Sequence, residues 1–487
     1  MAPKFAIASL SLGNCAHHQL PTKIRTASSL GYDGIEIFIP DFEAFVDEVR
    51  NKGLHQDLLP QPPSDDDELE VACAKAIASL CASLNLEIPV LQPLRAFENF
   101  ASPNSLGGGA GLPSALKEAE RWLRLMPHLN TRLLLVCSNY IEPEDHPFAP
   151  FDPKCKPVSS LTDNDGKART TPPGPAPSAY YPAPTQEQLS SYLDAQVEAF
   201  RELGKVAAHY HVRIGYEPLA WGTMVDNWEQ VWDVVRRVHL ENVGVILDSF
   251  NCLANQYADP TVSPTFLRNP DSCSQTPIPE EIPISPSLTA HIQPQNPTHA
   301  ALLQNLSLLG QTIPAHKIFL YQVADAALPC PPPGTITTTP RAPARMTWSR
   351  ASRLFPFEET RGAWLPVTDF SLAVVEAGYP AAPEDYGCSD QGDAWWSLEV
   401  FNKTLMDERP ECVEEHGLRG IQSLRTLWES VTAEIKGSQL ARSPTPSQSS
   451  SEEIGTSDSS EGIQTPPLEH VELSKGNRKW LDGYIVE

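Results

Sequence analysis

The chain has 487 residues, 41% hydrophobic and 20% charged, with 36 basic against 61 acidic side chains for a net charge of −25. This is globular composition with no apolar run near the ~18–20 residues of a membrane helix, which excludes a transmembrane protein, and the negative field disfavours nucleic acid and anionic membrane surfaces as partners. Proline, at 48 residues, is roughly double its usual ~5% share, more than one compact core absorbs and therefore a mark of long exposed loops. Residues 1–7 carry one lysine and no apolar segment with a cleavage site, which argues against a secretory signal. The ten cysteines include no CxxC pair and no zinc-knuckle spacing, so a reducing, cytoplasmic setting is expected rather than a disulfide framework or a structural zinc.

Short β-rich runs alternate with amphipathic stretches along the chain. Phe5–Leu12 and Gly34–Ile39 come first; Glu68–Leu84 then has helical spacing and precedes the run Ile88–Leu94. The pairs repeat as Leu112–Leu125 with Arg132–Ser138, Gln186–Ala208 with Val212–Leu219, Trp228–Val238 with Val243–Phe250, and Ala300–Leu309 with Lys317–Val323. Trp396–Phe401 is the eighth run, and the helical pattern Leu418–Ile435 closes the set. Eight strands alternating with helices predict an α/β fold of the (β/α)8 TIM barrel type, with chemistry at the C-terminal ends of the strands. A doubly wound sheet is the runner-up, but no GxGxxG follows the first strand, and Gly107–Gly109 reads as a loop.

Three Pro-, Ser- and Thr-rich segments interrupt the barrel pattern at about 142–184, 252–298 and 325–344. Connections at the catalytic face of a barrel lengthen without disturbing the core, so these are read as excursions or lids. The catalytic domain is expected to span 1–436, and 437–487 to form a disordered tail rich in Ser, Pro and Glu, with Ser443-Pro444 and Thr445-Pro446 as chance pairs or kinase targets.

Four strand ends carry a lone polar residue in apolar surroundings: Glu217 in IGYEPLAW, Asp248 in VILDSFN, Gln322 in FLYQVAD and Glu399 in WSLEVFN. A buried carboxylate needs a partner, and in a barrel these four converge on one axis. Each alone is a hydrogen-bonded strand terminus. Together, three carboxylates and an amide oxygen form an all-oxygen shell suited to Mg²⁺ or Mn²⁺ rather than zinc. Gln92 and Arg95 end the third strand and Glu36 the second, where they face a pocket or serve as caps and loop ion pairs. Cys137 and Cys252 read as small apolar fillers, and Trp395 with Trp396 as packing for the last strand.

The segments GYDGIEIF (31–38), YEPLAWGTMVDNWEQVWDVV (216–235), GVILDSFN (244–251), YADPT (257–261), ARMTWSRASRLFPFE (344–358), RGAWLP (361–366) and WWSLEVFN (395–402) resemble the fungal 3-dehydroshikimate dehydratases. These are members of the xylose-isomerase-like TIM-barrel superfamily. The resemblance implies a metal-dependent hydro-lyase of quinate and shikimate catabolism that turns 3-dehydroshikimate into protocatechuate and water. It implies a divalent cation (Mg, Mn or Co) on Glu217, Asp248, Gln322 and Glu399, and substrate contacts from Ser349, Arg353 and Asn251. An arginine fork at 353 would take the substrate carboxylate by two parallel bonds; its alternative is a loop ion pair with Glu358 or Glu359. Many bacterial relatives carry histidine where this chain, as fungal members often do, has Asn251, and an amide accepts no proton, so the base is unassigned among His17, His18, a hydroxide on the cation and the carboxylates. A sugar or inositol isomerase or epimerase shares the same site chemistry, and a degenerate non-enzymatic barrel is the third reading. The sequence carries no signal for oligomeric state.

Overall fold

The computed structural model describes residues 2–102, 108–141, 184–260, 267, 283–293, 295–328, 343–380 and 394–442. Eight parallel strands close into a barrel: β1 (Lys4–Ala8), β2 (Gly34–Phe38), β3 (Leu91–Leu94), β4 (Leu133–Cys137), β5 (Arg213–Glu217), β6 (Val243–Asp248), β7 (Ile318–Val323) and, last in the chain, β10 (Trp395–Leu398), which pairs with both β1 and β7. All eight expected strands are present. Around them lie α1 (Leu20–Ser29), α2 (Ile39–Lys52), α3 (Asp66–Ser83), α4 (Leu112–Leu129), α5 (Gln186–His209), α6 (Trp228–Val238), α7 (Ser249–Gln256), α8 (Pro286–Thr289), α9 (Pro297–Thr312), α10 (Ala344–Ser352), α11 (Val367–Glu376) and α12 (Glu411–Arg442). A two-stranded antiparallel ribbon, β8 (Asp325–Ala326) with β9 (Arg353–Leu354), crosses the barrel mouth.

Side-chain alternation sorts each strand into two faces. Leu134, Val136, Ile214, Tyr216, Val245, Leu247, Tyr321, Val323, Trp396 and Leu398 point outward into the layer shared with the helices. The alternate residues Leu133, Leu135, Cys137, Ile246, Leu320 and Trp395 plug the lumen. That plug is tight: a Cβ added at Gly215 would sit 2.5 Å from Ile246 Cδ1, so a residue two places before the end of β5 must lack a side chain. Continuing the inward parity by one step brings Glu217, Asp248 and Gln322 to the ends of their strands, with Glu399 just past β10. The register levels them, because Cys137 faces Glu217, Asp248 faces Gln322, and Gln322 faces Ser397.

The helix starts follow local chemistry. Asp65, Asn227 and Asn296 accept from the backbone of the first turns of α3, α6 and α9, and Thr185 with Gln188 forms a full capping box on α5. Several helices lie outside the sequence expectation. Every residue of α7 is buried, so it has no polar face for periodicity to reveal. The segment expected as an excursion at 252–298 is therefore corrected at both ends: α7 occupies it to Gln256, and α8 and the start of α9 occupy 286–289 and 297–298. Likewise 325–344 begins with strand β8 and ends on α10. The final helix α12 runs to Arg442, past the boundary expected at 436. The 142–183 part of the first excursion and the tail from 443 onward lie outside the described residues.

Candidate active site and metal centre

Glu217, Asp248 and Glu399 each present a carboxylate oxygen within 4.8 Å of the others, and all three are at least 95% buried. Burial raises the proton affinity of Glu217 well above the carboxylate range, with Glu399 and Asp248 adding repulsion. Burial also raises Glu399, against the opposing pull of the Arg353 guanidinium. Asp248 has a second duty as the N-cap of α7, where Oδ1 accepts from the Asn251 amide at 2.6 Å. A strand that runs directly into a helix thus aims this carboxylate along the barrel axis.

Gln322, fully buried, donates from Nε2 to Glu36 Oε2 at 2.9 Å, and this bond turns the amide so that Oε1 has no hydrogen-bond partner. Gln92 donates to the same Glu36 oxygen at 2.9 Å and to Glu399 Oε1 at 3.0 Å. Glu36 is held near neutrality, its pKa raised to about 7 chiefly by burial. Glu36 and Gln92 therefore orient Gln322 and Glu399, the pocket-facing alternative rather than caps or loop ion pairs. Their signal was the inward parity of β2 and β3.

An orphaned, buried amide oxygen beside three crowded carboxylates is the donor set a hard divalent cation requires, and such a charge excess is costly without one. The residues present fit a divalent cation at Glu217, Asp248, Gln322 and Glu399. No ligand of the zinc-preferring kind, His or Cys, belongs to the cluster.

The residues expected on the substrate side are drawn to the same place, with different partners. Asn251 spends its amide within the protein: Nδ2 donates to Glu217 Oε1 at 2.8 Å and Oδ1 accepts from Ala220 at 3.2 Å. It orients Glu217 rather than standing open to solvent. Arg353, 1% exposed, bonds neither Glu358 nor Glu359; Glu358 instead takes Arg419 at 2.7 Å. Its Nη1 donates to Asp248 Oδ2 at 2.7 Å, Glu399 Oε2 at 3.0 Å and the Glu399 carbonyl at 3.1 Å, and its Nε donates to Ser349 Oγ at 2.9 Å. An uncommitted two-pronged fork is thus not what Arg353 presents; Nη2 alone makes no hydrogen bond to a described residue. Its backbone enters the ribbon β8–β9, its backbone N–H donates to the Phe401 carbonyl at 3.0 Å, and Asn402 Nδ2 donates to the Arg353 carbonyl at 2.7 Å.

The other candidates lie elsewhere. His18 Nε2 is 2.6 Å from the Asp407 carbonyl and His17 approaches Glu408 at 3.9 Å; among the described residues no histidine bonds to the four cluster residues. Arg345 caps carbonyls of Ala254 and Ala258. Burial pushes the Cys137 and Cys252 thiols far from the thiolate, consistent with filler roles. Aromatic walls were overlooked: the Arg353 guanidinium lies 4.4 Å from the Phe250 ring and 5.3 Å from that of Phe401, which meets Phe38 edge-on at 6.4 Å. A legible signal existed, because EIF, DSF and EVF each put a phenylalanine two residues after an inward acid.

The barrel carries three inward acids and an orphaned amide at one mouth, and residues 24–380 match the family model of the xylose isomerase-like TIM barrel, so the chain belongs to that family. Within the family it is similar to the 3-dehydroshikimate dehydratase of Neurospora crassa, at 29% identity over 90% of this chain and 97% of that protein. A 3-dehydroshikimate dehydratase of Pseudomonas aeruginosa is 32% identical over 51% of this chain, a span that covers 26% of that longer protein. Among solved structures, a xylose isomerase-like TIM barrel/4-hydroxyphenylpyruvate dioxygenase fusion protein superposes with a TM-score of 0.52 over 90% of this chain and 45% of its own, at 23% identity. The IOLI protein with a bound zinc atom gives 0.50 over 88% and 99%, at 14% identity. Both share the fold.

Proposed function

We propose that this protein is a divalent-metal-dependent 3-dehydroshikimate dehydratase that releases protocatechuate and water, acting in quinate and shikimate catabolism. The observation that carries the reading is the convergence of Glu217, Asp248, Glu399 and the unpartnered Gln322 Oε1 at four strand ends. The similarity to the Neurospora crassa enzyme along nearly both full lengths supports the substrate.

The reaction is a β-elimination. A proton leaves the carbon α to the ketone, the hydroxyl one carbon further departs as water, and the resulting dienone becomes aromatic when one proton of the ring CH2 is lost and the ketone oxygen gains one. The difficulty is negative charge on the ketone oxygen, which a divalent cation (Mg, Mn or Co) bound at the four residues offsets by several kcal/mol. The chain's own residues preset this. Gln92, Glu36 and Asn251 lock the orientation of the oxygens, so none has to reorganise during the reaction. Arg353 holds two of the carboxylates together and keeps Nη2 for a substrate oxygen; Ser349 accepts from Arg353 and keeps its own O–H to donate. Phe38, Phe401 and Phe250 exclude water around them. The activity resides in the barrel rather than in residues 443–487. Six described cysteines are free thiols, in keeping with a cytoplasmic, reducing compartment; no described helix is long and apolar enough to cross a membrane.

Purified protein mixed with 3-dehydroshikimate and Mg²⁺, Mn²⁺ or Co²⁺ should develop the ultraviolet absorbance of protocatechuate, and EDTA should stop it. Absence of the aromatic product with every cation, alongside interconversion of sugars or inositols, would replace the dehydratase with an isomerase on the same site.

A further inference from the structure

The substrate proposed above is an anion, and the cluster has no net charge left to hold it. Three carboxylates, the Arg353 guanidinium and one divalent cation cancel, and with Nε and Nη1 of Arg353 committed only Nη2 is open, so no second nitrogen completes a parallel fork. A carboxylate gripped by an arginine takes two parallel N–H donors from a guanidinium that has them free.

Arg95 has them. It follows β3 directly, at the mouth of the barrel. The register of β3 against β4 shifts between Leu91 and Leu94, so that both leucines pack outward into the helix layer while Gln92 points inward to Glu399. Arg95, one residue beyond Leu94, returns over the lumen side, and its guanidinium stands 5.5 Å from the ring of Phe38. Phe38 in turn meets Phe401, the ring beneath Arg353. Two guanidiniums therefore flank one pair of aromatic rings. Unlike Arg353, Arg95 is partly exposed and makes no hydrogen bond or ion pair with any described residue. Stacking on Phe38 holds the fork in place without using its donors.

We propose that Arg95 is the residue that grips the substrate carboxylate, with the Phe38–Phe401 pair walling the ring between Arg95 and the metal site. This rests on the dehydratase reading. It transfers the carboxylate contact from Arg353, whose fork is spent on Asp248 and Glu399.

The test compares 3-dehydroshikimate with its methyl ester on Mn²⁺-loaded full-length protein, using wild type, Arg95→Ala and Arg95→Lys. Wild type should prefer the acid over the ester by about thirty- to a few thousand-fold in kcat/KM, the range seen when one partner of a desolvated charge pair is removed. Arg95→Ala should lose that preference, mainly through KM, while Mn²⁺ affinity by titration calorimetry stays at the wild-type value; Arg95→Lys should fall between. Retention of the full acid-over-ester preference in Arg95→Ala or Arg95→Lys overturns the assignment, as does an equal loss on acid and ester. The ratio is internal to each variant, so partial loss of folded protein does not mimic the expected result. Wild-type protein inert towards the acid overturns the dehydratase reading, and the anchor with it.

Discussion

Lys23 and the Glu217–Asp248–Glu399 cluster are equally hidden from water, yet their charges are settled in different ways. Lys23 on α1 and Asp41 on α2 form a closed pair: Nζ to Oδ1 at 2.7 Å, with the Ser9 hydroxyl on Oδ2 at 2.6 Å and the Phe38 amide on the Ser9 oxygen at 3.1 Å. Each charge has its opposite, and the pair ties two helices to the strand ends behind them. In the mouth, three carboxylates share one guanidinium, and an amide oxygen nearby has no partner. A structural site balances its electrostatics from within the chain, whereas a functional one leaves a deficit of a defined kind for a ligand to fill.

That contrast predicts opposite responses to losing one charge. In the mouth, Glu399→Gln and Asp248→Asn should each lower kcat/KM by about three orders of magnitude or more, the loss expected when transition-state charge stabilisation is removed. The metal-free protein should keep its Tm or gain a little in Glu399→Gln, because a repelling carboxylate has gone. A fall in Tm matching the fall in activity would mean that the cluster is structural.

In the closed pair the order reverses. Lys23→Met strands Asp41 in the core and should cost about 3–5 kcal/mol in chemical denaturation, with unaltered Mn²⁺ affinity per folded molecule. The double change Lys23→Met with Asp41→Leu should recover most of it. Failure to recover would show that the Ser9 and Phe38 bonds, not the charges, carry the connection.

A buried base at the other side of the comparison is His416 on α12, with Nε2 2.9 Å from Thr404 Oγ1 and Nδ1 2.9 Å from the Cys412 carbonyl. Burial, then the nearby Arg419 guanidinium, lowers its pKa to about 4. Unfolded, the ring binds its proton near the ordinary 6.5; folded, it does so only near 4. The unfolded state holds more protons in that window, so this contribution to stability is full above pH 6.5 and is lost as pH falls towards 4, by at most about 3 kcal/mol. Urea midpoints from pH 7 to 4 should flatten in His416→Gln. An unchanged slope would assign the acid sensitivity to other groups.

The smallest effect tests the support of the site. Asn251→Ala removes the 2.8 Å bond to Glu217 while leaving all four oxygen donors, and should weaken Mn²⁺ binding by about ten- to a hundredfold. Asn251→Asp should do worse than Ala, since it sets another carboxylate against Glu217. Equal Mn²⁺ affinity in Asn251→Ala and wild type would leave Asn251 as a helix residue without influence on the site.

Much of this molecule is legible from one chain of letters. Eight short apolar, β-rich runs set between helical patterns specify the strands, and because the closed barrel has one inside, the side-chain parity that buries Leu133, Leu135 and Ile246 in the lumen also aims Glu217, Asp248 and Glu399 inward. Residue type and parity are local quantities, which is why the four strand ends could be picked out before any geometry was known. Helices inside the expected excursions were harder to read: α7 is buried on every side, so no polar stripe marked it. What the sequence could not determine is which donors remain free. Arg353 and Arg95 are both arginines after plausible site elements, and only tertiary structure commits one to Asp248, Glu399 and Ser349 and leaves the other stacked on Phe38. Asn251 and Glu36 likewise acquired their roles from residues 34 and 286 positions away in the chain. A hydrogen bond is a matter of distance and direction in three dimensions, and it is the closing of the barrel that brings those partners within reach.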